Sequence, residues 1–248
     1  MYGICIFLGI FLATLMGERL CKKRGLDVYI YWRAVFYALV FGLVGARFYH
    51  VVHHLDYFTL HYPEILAVWQ GGLGIWGGIF GGLAGFYWSI RKSGKLWMYA
   101  DIFAVVAPLA QAVGRWGNYF NKELFGYPTN LPWAIYIPQE FRPSNYLYFD
   151  RFHPLFLYES FLNLIVFIVL YRLYYRRKMF GINLSNGSIS ALYLVGYSTI
   201  RFFLEFMRPE SWRIGNFPVA SLISVSVALI ISACLLYKVL RSNDLCNG

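Results

Sequence analysis

The chain has 248 residues, of which 59% are hydrophobic and only 14% are charged. A soluble domain carries roughly 25% charged residues, so this composition excludes an ordinary soluble protein and favours an integral membrane protein. The formal net charge of +10 does not indicate a nucleic-acid partner, because the basic residues lie in short loops between apolar runs.

Three long windows contain no charged residue: 66–90, 181–200 and 217–237. A stretch of about 20 apolar residues crosses the hydrocarbon layer as a helix, because backbone polar groups in lipid must pair within the segment. Hydropathy and length together predict about seven spans, near 2–17, 30–49, 66–90, 98–117, 154–174, 187–206 and 217–238. We therefore expect an all-α, polytopic membrane helix bundle that forms one domain over 1–248.

The basic residues predict how this bundle is oriented. With seven spans, thirteen Lys and Arg residues fall on one side and five on the other. Basic residues favour the cytoplasmic side, so the N-terminus is expected outside and the C-terminus inside. The long segment 118–153 then becomes a small irregular head or lid on the outer face. We therefore expect a protein that crosses a cell membrane several times.

The segment from Gly114 to Gly126 (GRWGNYFNKELFG) ends a long apolar run with a cation, amides and a carboxylate. An arginine at the edge of the hydrocarbon layer is costly and needs a partner or a function. The guanidinium of Arg115 suits phosphate oxygens, and Asn118 shares its face if the helix continues. Glu123 is a candidate to orient that guanidinium. The other interpretation is an arginine that snorkels to the interface and pairs with Glu123.

A second polar group follows a helical period. Tyr197, Arg201, Glu205 and Arg208 are spaced four, four and three residues apart, which places them on one stripe of the sixth span. Ionisable residues within a membrane face the bundle interior or a wet cavity. Two arginines against one glutamate leave a surplus positive charge, which favours an anion site over an ion-paired packing seam.

Two further segments qualify as supporting elements. His153 and Pro154 open the fifth span, and Tyr158 and Glu159 follow about one turn inside it. A buried carboxylate needs a cation, and the candidates are Arg47, Arg115 and Arg201.

The glycine-rich run 70–82 contains Gly71, Gly72 and Trp76. It also has small residues four apart, such as Gly74, Gly78 and Gly82, and this spacing favours close helix packing. The same glycines could instead leave room for a lipid chain or unwind the helix beside a head group.

Together these motifs resemble the prolipoprotein diacylglyceryl transferase family of bacterial membrane enzymes. The resemblance covers most of the chain: the opening Tyr2-Gly3, the glycine run 71–82, the segment 114–126, the His-Pro and Tyr-Glu pairs at 153–159, and the stripe 197–208. It implies seven spans, an outer head, and transfer of the diacylglyceryl group of phosphatidylglycerol to the lipobox cysteine of a prolipoprotein signal peptide. A thioether forms and glycerol phosphate leaves, without a metal or cofactor.

The resemblance also implies roles for individual residues. Arg115 and Arg201 match essential arginines, and Glu205 joins them as a candidate catalytic residue. The candidate phospholipid-binding residues are Arg115, Asn118, Glu123, Tyr197, Arg208 and Tyr2. The candidate supporting residues are Gly71, Gly72, Trp76, His153, Tyr158 and Glu159.

One position departs from the family pattern. The glycine run of well-known members ends in His-Gly-Gly, whereas this chain has Trp76 at the histidine position. The proton acceptor therefore stays open among Glu205, Glu123 and His153. Two other functions remain alternatives: a family paralogue that binds lipid without transferring it, and a membrane transporter for an anionic solute. An intramembrane protease is disfavoured, because no serine is placed opposite a membrane-buried histidine.

Overall fold

The computed structural model describes residues 1–179, 181–209, 211–215 and 217–244, the last ten of these as backbone only. The basic tail residues Lys238 and Arg241, used in the orientation argument, lie outside the described side chains. The described chain is mostly helical. Its α-helices are α1 (Tyr2–Lys23), α2 (Val28–His53), α3 (Leu55–Phe58), α4 (Ile75–Ile90), α5 (Leu96–Gly114), α6 (Trp116–Phe120), α7 (Leu155–Arg176), α8 (Ser188–Phe206) and α9 (Val219–Asp244).

Short elements fill the connections. Three antiparallel hairpins pair β1 (Ile135–Tyr136) with β2 (Arg151–Phe152), β3 (Lys178–Met179) with β4 (Ile182–Asn183), and β5 (Arg213–Ile214) with β6 (Phe217–Pro218). Single 3₁₀ turns lie at Tyr62–Leu66, Val68–Gln70, Arg91–Ser93, Gln139–Phe141 and Ser144–Tyr146. The predicted head segment 118–153 is thus irregular, closed by one two-residue strand pair.

Four helices in the described part of the chain are long and apolar enough to cross a membrane: Tyr2–Lys23, Val28–His53, Leu96–Phe120 and Leu155–Arg176. The third of these joins α5 to α6. The fold is therefore that of a helical membrane protein. The count of seven spans stays a prediction, because α4 has only 16 residues and neither α8 nor α9 is among these four helices.

The span predicted over 66–90 is wrong in its first third. Gly71 and Gly72 have φ values of 87° and 69°, a conformation that glycine adopts without strain and that cannot continue a helix. Arg47 of α2 holds this non-helical stretch. Its Nη1 donates to the carbonyls of Gly71 (2.8 Å) and Gly72 (3.2 Å), and its Nε donates to the carbonyl of Ile65 (2.8 Å). The helix consequently begins only at Ile75.

The chain forms two compact units, one of Met1–Gly17 with Ala100–Gly248 and the other of Glu18–Tyr99. In the Glu18–Tyr99 unit, α2 packs against α4 through glycine. A Cβ added at Gly77 would overlap the carbonyl of Gly45, and one added at Gly81 would overlap the carbonyl of Phe41. The close-packing interpretation of the glycine run is confirmed, although the tight contacts fall on Gly77 and Gly81 and not on Gly78.

In the other unit, α7 packs on α8. Leu155 at the start of α7 forms a buried apolar cluster with Ile200 and Leu204 of α8. Helix α1 approaches α5 closely, since a Cβ at Gly9 would lie 2.7 Å from the carbonyl oxygen of Ala110. The head segment closes onto the same unit through Leu124, which packs against the apolar cluster.

A buried aspartate near the start of α5 links the start of α8 to the end of α7 in this unit. Asp101 of α5 is 1% exposed. Its carboxylate accepts from the backbone N–H groups of Gly187 and Ser190 at 3.0 Å each, and from the Ser190 hydroxyl. Arg177, at the C-terminal end of α7, completes the cluster at 3.4 Å. Asp101 thus caps the N-terminus of α8 from a neighbouring helix, which satisfies N–H groups that a helix leaves unpaired.

Candidate functional site

The first part of the site is an arginine–glutamate pair between α5 and α7. Arg115 occupies the junction where α5 ends at Gly114 and α6 begins at Trp116. Pro154 precedes α7 and fits a helix start, which places Glu159 about one turn inside. The Nη2 of Arg115 lies 2.5 Å from Oε1 of Glu159. The side chain of Glu159 is 1% exposed and that of Arg115 is 26% exposed, so the ion pair is buried on the Glu159 side and partly open on the Arg115 side.

Both members of this pair also have buried polar atoms without partners. Nε of Arg115 and Oε2 of Glu159 make no hydrogen bond to any residue that the structure describes. Buried polar atoms are usually satisfied, and exceptions are characteristic of functional sites or of bound water and ions.

The second part of the site is the predicted stripe on α8. Glu205 is buried, and its Oε2 lies 2.5 Å from Nη2 of Arg201 and 3.5 Å from Nη1 of Arg208. Their helical spacing brought these three residues together as expected. One carboxylate between two guanidinium groups leaves a formal surplus of one positive charge. Tyr197, the fourth member of the stripe, stacks on Tyr193 one turn earlier, with ring centroids 6.2 Å apart.

The two parts lie at the same end of their unit. Leu155, one turn before Glu159, packs against Ile200 and Leu204, which directly precede Arg201 and Glu205. One turn before Arg115, the Nε2 of Gln111 donates to the hydroxyl of Tyr193 on α8 at 2.9 Å. Three helices therefore carry two guanidinium–carboxylate sets to one region. Guanidinium groups in a region of low dielectric bind phosphate oxygens strongly.

Glu123 has a different partner from the one we expected. Its carboxylate accepts from the side-chain amides of Asn118 (3.3 Å) and Asn121 (2.8 Å), whereas Arg115 pairs with Glu159. The residues on either side of Glu123, Lys122 and Leu124, have positive φ values of 56° and 55°. Such conformations are costly for residues other than glycine and persist where surrounding contacts impose them. The loop thus fixes Glu123 and its two amide partners in one arrangement.

Tyr2 reaches the same segment from the N-terminus. A Cβ placed on Gly117 would lie 2.7 Å from the ring of Tyr2, so the aromatic ring packs directly on the α6 backbone. Tyr2 is 38% exposed, and Asn118 beside Gly117 is buried. The structure therefore brings this predicted phospholipid-binding residue next to the Arg115 segment.

His153 and Tyr158 form a hydrogen-bonded chain at the start of α7. The indole Nε1 of Trp133 donates to the hydroxyl of Tyr158 at 2.8 Å, and that hydroxyl lies 3.1 Å from Nδ1 of His153. Indole is a donor only, so the Tyr158 oxygen accepts from Trp133, and the direction of the contact with His153 follows the imidazole tautomer. These hydrogen bonds connect the head segment to α7. Gly126 lies against it, because a Cβ there would come within 3.0 Å of His153 and of the Met207 carbonyl.

The remaining supporting residues belong to the Glu18–Tyr99 unit. Gly71 and Gly72 present their carbonyl groups to Arg47, which is 8% exposed. Of the three arginines considered as partners for Glu159, the structure places Arg115 there, whereas Arg47 donates to backbone carbonyls of its own unit. Trp76 is 53% exposed in the first turn of α4 and stacks on Phe80.

Outside the membrane spans, the same unit contains a tyrosine–glutamate pair. The hydroxyl of Tyr57 donates to Oε2 of Glu64 at 2.8 Å. That hydrogen bond raises the pKa of Tyr57 above the usual value for a phenol.

Sequence analysis missed two amide side chains that lie beside the ion pair. Asn163 is fully buried, one turn beyond Glu159, and its Nδ2 donates to the Glu159 carbonyl at 2.9 Å. Gln111 lies one turn before Arg115. The amide oxygens of both residues lack a hydrogen-bond partner in the described part of the chain. The available signal was their spacing of four residues from each member of the ion pair.

The fold and the site define a helical membrane protein that presents two guanidinium–carboxylate sets where three of its helices meet. The model of one family, described as prolipoprotein diacylglyceryl transferase, matches residues 1–237. The chain belongs to this family.

Curated relatives agree with that assignment. Three proteins named phosphatidylglycerol–prolipoprotein diacylglyceryl transferase illustrate the similarity. The one from Thermotoga maritima is 38% identical over 92% of this chain and 77% of its own length. The one from Fervidobacterium nodosum is 39% identical over 95% of this chain and 80% of its own length. The one from Finegoldia magna is 37% identical over 95% of this chain and 88% of its own length.

Proposed function

We propose that this chain transfers the diacylglyceryl group of phosphatidylglycerol to the thiol of the lipobox cysteine in a prolipoprotein. A thioether forms, and glycerol phosphate leaves. This is the first step of bacterial lipoprotein maturation. Membership of the family supports the reaction. The observation that carries the proposal is the pair of arginine–carboxylate sets gathered by α5, α7 and α8.

Charge distribution supports a phosphodiester as the ligand of these arginines. The substrate phosphodiester carries one negative charge, and Arg201, Arg208 and Glu205 together carry one surplus positive charge. Arg115 adds a second, partly exposed arginine side chain. Asn118, Glu123, Tyr197 and Tyr2 would then surround the rest of the head group.

Catalysis in this scheme is electrostatic. The cysteine sulfur forms a bond to the glycerol carbon, the carbon–oxygen bond breaks, and its electron pair leaves on the phosphate. The phosphate gains negative charge during this step, so guanidinium groups bind the departing group more strongly than the ground state. The same positive field favours the thiolate form of the substrate cysteine. The nucleophile comes from the substrate.

We further propose seven spans with the N-terminus outside, the C-terminus inside and the 118–153 segment as an outer head in a bacterial cell membrane. The bias of thirteen basic residues against five supports this orientation. The site then lies at the outer face, where a secreted precursor and the outer-leaflet phosphatidylglycerol are both available.

Because Trp76 stands at the position of the family histidine, one alternative is a paralogue that binds phospholipid without transferring it. Complementation distinguishes the two. A bacterium depleted of its own transferase should regain growth with this chain, and mass spectrometry should detect the diacylglyceryl thioether on a reporter precursor. An unmodified precursor, despite normal accumulation of the chain in the membrane, would exclude the transferase and leave the paralogue.

A further inference from the structure

We infer that Glu159 takes the proton of the incoming thiol, and that Arg115 transfers its ion pair from Glu159 to the departing phosphate. This inference rests on the proposed function and names a catalytic residue for it. The starting observation is the isolation of the Glu159 carboxylate. It is 1% exposed, Arg115 is its one described side-chain partner, and its Oε2 has no partner among the described residues.

Asp101 is a contrasting buried carboxylate in the same unit. It is equally buried, yet its two oxygens accept from Gly187, Ser190 and Arg177, with four donor groups in all. Glu159 has no such set of donors. If Arg115 turns to another anion, the Glu159 carboxylate is left charged and unpaired in an apolar layer, which is very unfavourable. Taking up a proton removes that penalty.

The other candidate acceptors are less suitable. Glu205 is already held by two guanidinium groups, those of Arg201 and Arg208. Both oxygens of Glu123 already accept from side-chain amides. Nδ1 of His153 is engaged by the Tyr158 hydroxyl, which also accepts from Trp133, so His153 belongs to the contact with the head segment.

In this scheme the thiol proton has a defined acceptor and the formal charges balance. The thiol proton passes to the edge of Glu159 that Arg115 releases, and the sulfur forms its bond to carbon. The phosphate leaves with the carbon–oxygen electron pair and changes from one negative charge to two. The Arg115 guanidinium then pairs with the phosphate in place of the Glu159 carboxylate. The summed charge of Arg115, Glu159 and the phosphate is unchanged by the step, which matters in a medium of low dielectric.

The test uses the full chain in vesicles containing phosphatidylglycerol, with a lipobox peptide as acceptor. Glu159→Gln keeps an oxygen for Arg115 but cannot take a proton. We expect kcat near pH 7 to fall about 10²- to 10⁴-fold, while affinity for phosphatidylglycerol is unchanged or tighter. The control is Glu140→Gln, an exposed glutamate of the head segment, which should behave like the parent chain.

The pH profile separates a proton acceptor from a residue that only positions Arg115. A substrate thiol ionises near pH 8.5, so solution supplies more thiolate as the pH rises. The activity ratio between the parent chain and Glu159→Gln should therefore shrink about tenfold per unit between pH 6 and 8. In the described part of the chain, the charged and titratable groups that neighbouring segments bring to this layer are Arg115, just after α5, and Tyr193 on α8. Both are unchanged in the variant.

A constant activity ratio across this pH range, or a loss of lipid affinity as large as the loss of rate, would overturn the inference. If Glu159→Gln fails to accumulate, Glu159→Asp keeps a carboxylate and should retain the parent's pH profile at a lower rate. A steep rise with pH in that variant would contradict the role of Glu159. Failure of the parent chain and of Glu140→Gln to form any thioether would refute the proposed function instead.

Discussion

At the scale of single residues, Arg115 and Arg201 each have a buried carboxylate partner within 2.5 Å. We expect Arg115→Ala and Arg201→Ala each to lower the transfer rate by about 10²-fold or more, because each removes a charged donor from the phosphate. The measurement is thioether formation on a lipobox peptide. Arg151→Ala is the matched control, since Arg151 is an exposed arginine of the head segment. Normal transfer by either variant would contradict the phosphate-binding role.

Periodicity explains which parts of this site could be predicted. Arg201, Glu205 and Arg208 lie on one helix, so their spacing alone placed them together. Arg115 and Glu159 are 44 positions apart on different helices, and three arginines competed for that glutamate in the sequence. Local pattern cannot rank such partners, because the choice depends on how α5 packs on α7. The assignment of Glu123 to Arg115 failed for the same reason.

At the scale of elements, the seam between α2 and α4 gives a sharp test. A Cβ at Gly81 would overlap the Phe41 carbonyl, whereas one at Gly82 would lie 3.5 Å from the Ala38 carbonyl, an ordinary contact. We expect Gly81→Ala to destabilise the protein by about 1–3 kcal/mol through overpacking. Gly82→Ala should be neutral or stabilising by up to about 1 kcal/mol, because alanine is the better helix former.

Thermal unfolding of the two variants in detergent measures this difference. Equal Tm values for Gly81→Ala and Gly82→Ala would show that the two helices do not approach as closely as described.

The glycine run illustrates a limit of sequence analysis. Repeats of small residues predicted close packing, but Gly77, Gly78, Gly81 and Gly82 offer two overlapping phases. Only the packing against α2 selects between them.

Hydropathy alone could not locate the start of α4. The window 66–90 is uncharged throughout, so hydropathy alone predicts one continuous span. The glycine φ values and the hydrogen bonds from Arg47 interrupt it before Ile75. A long-range arginine contact of this kind leaves no local signal, apart from the glycines that permit the turn.

At the scale of the whole molecule, composition and charge predicted a helical membrane protein, and helicity and four apolar helices agree. The orientation can be tested with fusions to the C-terminus. Green fluorescent protein there should fluoresce, because the inside location permits its folding, and alkaline phosphatase there should be inactive. The opposite pattern, with matched expression levels, would show that the C-terminus lies outside and would reverse the face assigned to the head segment.

The central claim is that Arg115 and Arg201 contact the same phosphodiester. The most direct measurement is an experimental structure of the chain in a lipid nanodisc with phosphatidylglycerol. We expect one head-group phosphate within hydrogen-bonding distance, about 3 Å, of both guanidinium groups. A phosphate bound by one arginine alone, with the other facing acyl chains or a different lipid, would contradict the account.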